Sequence, residues 1–184
     1  MENPKQLAFS VLNAFEQKRS RDLRKLNDRI LKNAAVDFSR SLFRLAVVSY
    51  ILAKITQKSR YLKDENKKQL NMIARRLKKV ASSIGTIDEK ELMNRFSDLE
   101  AAIISLEERD RRYLTSLVEK GELKTAATMY AQGISLGVAS EMTGMDKQEI
   151  LDYAGDTMMF ERVREEVGIK DRIKMARRFI GGVS

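Results

Sequence analysis

An almost purely α-helical fold is what this 184-residue sequence predicts, and three observations carry the prediction. The first 84 residues contain no glycine, and the only proline is Pro4, so helix breakers are missing over a long stretch. Apolar residues recur at spacings of three and four along most of the chain. No alternating apolar and polar run bounded by turn residues reads as a strand.

The first helix starts near Pro4, where proline in the opening turn does no harm, and directs Leu7, Val11, Leu12 and Phe15 inward. A second starts near Ser20 and carries Leu23, Leu26, Ile30 and Leu31. A third covers 36–59, from Val36 and Phe38 through Leu42, Leu45, Ala46, Val48, Ile51, Leu52 and Ile55. Its apolar arc is so wide that it should be the central helix of a bundle. A fourth, 65–83, places Leu70, Ile73, Leu77, Val80 and Ile84 inward, and Gly85 ends it.

Thr86 and Glu89 then have the spacing of a capping box. The helix that follows carries Leu92, Phe96, Leu99, Ile103 and Leu106 at alternating spacings of four and three, the seam of a coiled coil. The register meets Asp110 and recovers at Tyr113 and Leu117, so one long helix ending near Gly121 is expected, with a kink, an exposed stretch or a polar partner at Asp110. Such a helix packs within the chain or against a second copy. Beyond it the expected helices shorten to about 122–132, 136–143, 147–154, 157–167 and 170–180, with Gly133, Gly144, Gly155 and Gly168 between them. The expected organisation is therefore a basic N-terminal helical bundle at 1–85, a long heptad-like helix at 86–120 and a small helical domain at 121–184.

Composition narrows the chemistry. The chain has no Cys, His or Trp. That removes the thiolate nucleophile, the commonest general base and the commonest transition-metal ligand, so a non-enzymatic protein without cofactor, catalytic site or metal site is expected. The acidic group Glu107, Glu108 and Asp110 reads as a surface patch in preference to a hard-cation site. The chain start lacks the pattern of a signal peptide, and the longest near-apolar run, from Leu45 to Ala53, is too short to span a bilayer. A cytoplasmic location follows as the expectation, with no membrane partner.

The net charge of +9 is unevenly spread. Residues 1–85 hold 20 Lys or Arg against 7 Asp or Glu, a net +13, and the remainder holds 15 against 19, a net −4. A basic N-terminal face of this size attracts nucleic acid or an acidic partner. Lys67, Lys68, Arg75, Arg76, Lys78 and Lys79 are the candidate phosphate contacts, and Arg21, Arg24, Lys25 and Arg29 form a comparable group. Against this stands the ordinary role of a charged helix face, which is solvation.

One segment points at a function. From Ser135 to Gly155 the pattern is that of two helices crossing over a short turn: small Ser140, turn residue Gly144 four positions later, and buried Ile150 six further on. Ala139, Met142, Met145, Leu151 and Tyr153 supply further core contacts, Asp146 caps the second helix, and Glu149 completes a capping box. The preceding helix, with Leu123, Ala126, Ala127 and Tyr130, makes a trihelical helix-turn-helix unit. The run Gly133-Ile134-Ser135-Leu136, followed by Ala139-Ser140-Glu141-Met142-Thr143-Gly144-Met145-Asp146, resembles the small helix-turn-helix of prokaryotic DNA-binding and antitoxin-like proteins. The chain as a whole is similar to all-helical archaeal proteins without an assigned activity.

The resemblance implies double-stranded DNA as partner, with Lys147 and Gln148 as base readers at the start of the second helix. Asp146, Glu149, Asp152 and Asp156 oppose them, since phosphates repel carboxylates. The competing expectation is a protein-interaction adaptor that uses the acidic helix pair, or a homodimer through the 88–119 helix.

Overall fold

The computed structural model describes residues 2–37, 39–106 and 111–162. The described residues are all-α: nine α-helices and two short 3-10 turns, with no strand among them. No helix among them is long and apolar enough to cross a membrane.

Helix α1 (Pro4–Glu16) opens on the Asn3 side chain, which accepts from the Lys5 amide, with Pro4 in the first turn where its missing N–H costs nothing. Helix α2 (Ser20–Asp37) and helix α3 (Arg40–Gln57) form the most extensive helix pair. The third helix was expected to begin at Val36, but the chain breaks before Arg40. Ser39 caps α3 by accepting from the Leu42 amide, and Val36 belongs to α2, where it is exposed. Phe38 lies outside the described residues. The reason is capping: Ser39 in extended geometry satisfies an amide that a continuous helix would have left to the backbone.

The remainder of α3 is the centre of the bundle, as its wide apolar arc predicts. Leu45, Ala46, Val47, Val48, Ile51, Leu52 and Ile55 are all sealed from solvent. Two 3-10 turns (Ser59–Leu62 and Asp64–Asn66) lead into α4 (Lys67–Ser83), which buries Ile73, Leu77 and Val80. Gly85 follows with φ +79°, a conformation that glycine adopts without a Cβ clash.

The cap of the next helix differs from the expected one. Asp88, not Thr86, accepts from the Glu91 amide, while the Thr86 hydroxyl donates backwards to the Ser83 carbonyl at 3.0 Å. Thr86 closes the outgoing helix end and Asp88 opens the incoming one, so the two ends are served by separate side chains.

Helix α5 (Glu89–Ile104) buries the predicted seam of Leu92, Phe96, Leu99 and Ile103 inside the chain, packing on α3 and α4. The single long helix is not what forms. At Ser105 and Leu106 the backbone tightens: the Leu106 amide donates to the Ile103 carbonyl, and the Ser105 hydroxyl donates to the Ala102 carbonyl. Leu106 stays buried, so the apolar register continues where the helix stops. Asp110 and the acidic residues Glu107 and Glu108 lie outside the described residues.

Helix α6 (Arg111–Ala131) then runs straight through Gly121, the expected terminator. A Cβ on Gly121 would stand 3.2 Å from Tyr50 Cδ1 and 3.4 Å from Val47 Cγ1. Gly121 is therefore a contact point where α6 approaches α3, and its missing side chain is what permits the approach. A straight helix from 88 onwards would have carried this contact off the bundle, at about 1.5 Å per residue. Tertiary packing overrides the heptad reading here.

Three short helices follow: α7 (Leu136–Thr143), α8 (Lys147–Asp156) and α9 (Met159–Arg162). Gly155 lies within α8, and Gly168 and the expected helix at 170–180 lie outside the described residues. The apolar core is continuous from Leu7 to Met159, so α6, α7 and α8 share it with the N-terminal helices.

Candidate nucleic-acid interface

Helix α4 has the sequence KKQLNMIARRLKKVASS, with six cations and no acid. Arg76 is engaged, its Nη1 lying 3.2 Å from Asp98 on α5. Lys67, Lys68, Arg75, Lys78 and Lys79 are exposed, and among the described residues none of them has an ion pair. At 100° per residue these five fall within about 120° of arc, opposite the buried Ile73, Leu77 and Val80. The result is a rigid cationic stripe on one helix.

The other basic group behaves differently. Arg29 is held by Glu2, its Nε donating to Oε1 at 3.1 Å, so it is partly neutralised. Arg24 is exposed beside the neutral amide of Gln57. Lys25 and Arg21 are exposed.

Helices α7 and α8 form at the predicted positions, with the predicted turn and the predicted Asp146 cap. The Ser135 hydroxyl caps α7 by accepting from the Val138 amide. Gly144 ends α7 at φ +75°, its amide returning to the Ser140 carbonyl at 2.8 Å. The Ser140 hydroxyl donates to the Met145 carbonyl at 2.8 Å and ties the turn to the helix before it. Asp146 accepts from the Gln148 and Glu149 amides and starts α8. Ala139, Ile150 and Ala154 are sealed, and both helices pack on α6. Leu151, expected in the core, is instead exposed, because it sits about 60–100° around α8 from Ala154 and Ile150, at the edge of the buried face.

Lys147 and Gln148 stand exposed in the first turn of α8. Gln148 is partly occupied, its Nε2 donating to Asp152 Oδ1 at 2.8 Å. Glu149, Asp152 and Asp156 are exposed on the same short helix. Helix α4 packs on α1 and α5, whereas α8 packs on α6, α7 and α9. The cationic stripe and the two base-reader candidates therefore sit on different parts of the bundle.

Sequence reasoning missed one ionic centre. Arg44 on α3 reaches Glu100 on α5 at 3.4 Å and also bonds Glu122 on α6. Burial pushes the Glu100 carboxyl above its usual range, with Arg44 opposing and Glu122 reinforcing the rise. The three residues lie 56 and 78 positions apart, so no local pattern could have linked them. The one local signal was Arg44 itself, a cation set among the apolar residues of α3. Among the described residues no group of three acidic side chains is arranged to hold a metal ion.

No protein-family model matches the chain, and no curated protein or solved structure matches it either.

Proposed function

We propose that the protein is a non-enzymatic, nucleic-acid-binding helical protein whose affinity comes from α4. The observation that carries this reading is the acid-free stripe of Lys67, Lys68, Arg75, Lys78 and Lys79, unpaired among the described residues. Like charges held on one rigid face repel one another, and phosphates relieve that repulsion while releasing condensed counterions. The Gly144 turn and the Asp146 cap of the α7–α8 pair support reading it as a helix-turn-helix. In this reading Lys147 and Gln148 are its base-reading side chains, weakened by the neighbouring carboxylates.

Duplex binding followed against salt tests the proposal. Five phosphate contacts give a slope of log K on log salt of roughly −4 to −5. Replacing the five α4 cations with Gln should flatten that slope to near zero. Replacing Lys147 and Gln148 with Ala should relax sequence preference and leave the slope within about one unit. Absence of duplex binding at low salt in the folded protein would sink the reading.

A second reading rests on α8. Its exposed face combines Glu149, Asp152 and Asp156 with Leu151, a mixture suited to a basic protein surface and unsuited to phosphate. An adaptor of this kind would lose its partner on Leu151→Asp and keep it when the α4 cations are replaced.

A further inference from the structure

A second concentration of positive charge lies away from α4, in a cleft where α2, α3 and α6 meet. The cleft has a volume of about 360 Å³ and takes Arg24 from α2, Lys54 from α3 and Lys124 from α6. Its one acidic lining residue is Asp28. Among the described residues none of the three cations has an ion pair, and Arg24 is met by the neutral Gln57 amide. The lining therefore carries a net charge of +2, three cations against one carboxylate.

Two of the cations share one aromatic ring. Lys124 Nζ lies 4.7 Å from the centroid of Tyr50 and Lys54 Nζ lies 5.5 Å from it. The two ammonium groups are thus no more than about 10 Å apart, within one Debye length at ordinary salt. The ring attracts each of them but neutralises neither. Burial and the neighbouring Lys54 push the half-buried Lys124 ammonium below its usual range, with Asp28 opposing and Arg24 adding to the fall.

The Tyr50 ring draws both ammonium groups together, but no carboxylate among the described residues pairs with either. A lysine on an exposed face keeps its charge in water, whereas Lys124 is drawn into a cleft beside a like charge. An anion in the cleft reverses that cost. A phosphomonoester carries about −1.5 to −2 at neutral pH, which matches the lining charge, and offers three acceptor oxygens to three donors on three helices. The volume falls in the range of small-molecule sites and not of duplex grooves.

We propose that the cleft between α2, α3 and α6 binds a phosphate-bearing small molecule through Arg24, Lys54 and Lys124. The site is separate from the α4 stripe, and its occupancy would lock the contact of α6 on α2 and α3.

Calorimetric titration of the full chain with inorganic pyrophosphate at low salt tests this. One saturable site per chain is expected, weakened at least tenfold by Lys124→Met and by Lys54→Gln. Lys124→Met keeps the side-chain volume over Tyr50, and its melting temperature without ligand should equal or exceed that of the unsubstituted protein. Lys54 is exposed, so Lys54→Gln reports on binding even if the first variant folds poorly. The variant lacking the five α4 cations should bind pyrophosphate unchanged, which keeps this result distinguishable from failure of the nucleic-acid reading. The proposal is overturned if the unsubstituted protein takes up no pyrophosphate, if Lys54→Gln binds as tightly, or if only the α4 variant loses binding.

Discussion

Arg44 on α3 and Glu100 on α5 meet at 3.4 Å, and the same guanidinium also bonds Glu122 on α6. One cation thus joins two carboxylates from two helices that the chain reaches more than 50 residues later. All three side chains are at most one-third exposed, so the pairs are not ordinary surface salt bridges.

Removing Arg44 should be costly. Arg44→Ala leaves Glu100 and Glu122 facing each other with no counter-charge, and a loss of roughly 2–3 kcal/mol is expected after allowing for partial solvent screening. Urea denaturation at neutral pH measures it. A loss below about 0.5 kcal/mol would show that water already neutralises the pair.

Glu100 should make stability depend on pH in the direction opposite to a simple paired carboxylate. Burial is the largest influence and raises its pKa above 4.5, so the folded state holds this proton more tightly than the unfolded state. The associated stability is present below the unfolded pKa and is lost as pH rises through the raised folded value. Glu100→Gln should remove that decline, and at neutral pH it should unfold no more easily than the parent. Melting temperatures of both proteins across the acid range test the difference; parallel curves would refute the assignment.

Gly144 should be replaceable only at a backbone cost. Its φ is +75° and nothing lies within 4 Å of a built Cβ, so the penalty for Gly144→Ala is conformational and not steric. About 1–2 kcal/mol is expected, and Gly144→Asn should recover part of it. Hydrogen exchange in α8 reads the effect locally. Equal protection in the Ala and Asn variants would contradict this account.

Gly121 should show the reverse behaviour. Its φ is unremarkable, but Tyr50 and Val47 crowd the place a side chain would take. Gly121→Leu forces α6 away from α3 and should cost about 2–3 kcal/mol. Gly121→Ala should cost far less, because a better helix former offsets a contact that must yield by only a few tenths of an ångström. Chemical denaturation of the two variants separates the effects.

The two glycines show where legibility ended. Gly144 was readable because its neighbours Ser140, Asp146 and Ile150 form a local pattern, and each constraint acts within a few residues. Gly121 was misread as a terminator because its role depends on Tyr50 and Val47, about 70 positions earlier. The same distinction separates the α4 stripe from the cleft. Six cations in 17 residues of one helix are visible in the sequence, whereas Arg24, Lys54 and Lys124 come together only through the packing of three helices.

By itself the sequence determined the all-α class, most of the apolar face of helices α1 to α5, the cationic stripe on α4 and the construction of the α7–α8 turn. These follow from helical periodicity, glycine and proline placement and capping side chains, all of which act locally. Only the tertiary structure decided that the heptad seam divides at Ser105, that α6 continues through Gly121, that Arg44 joins two carboxylates, and that Lys54 and Lys124 line one cleft. Those depend on which helices lie side by side, and burial of a shared apolar core sets that arrangement through contacts far apart in the chain.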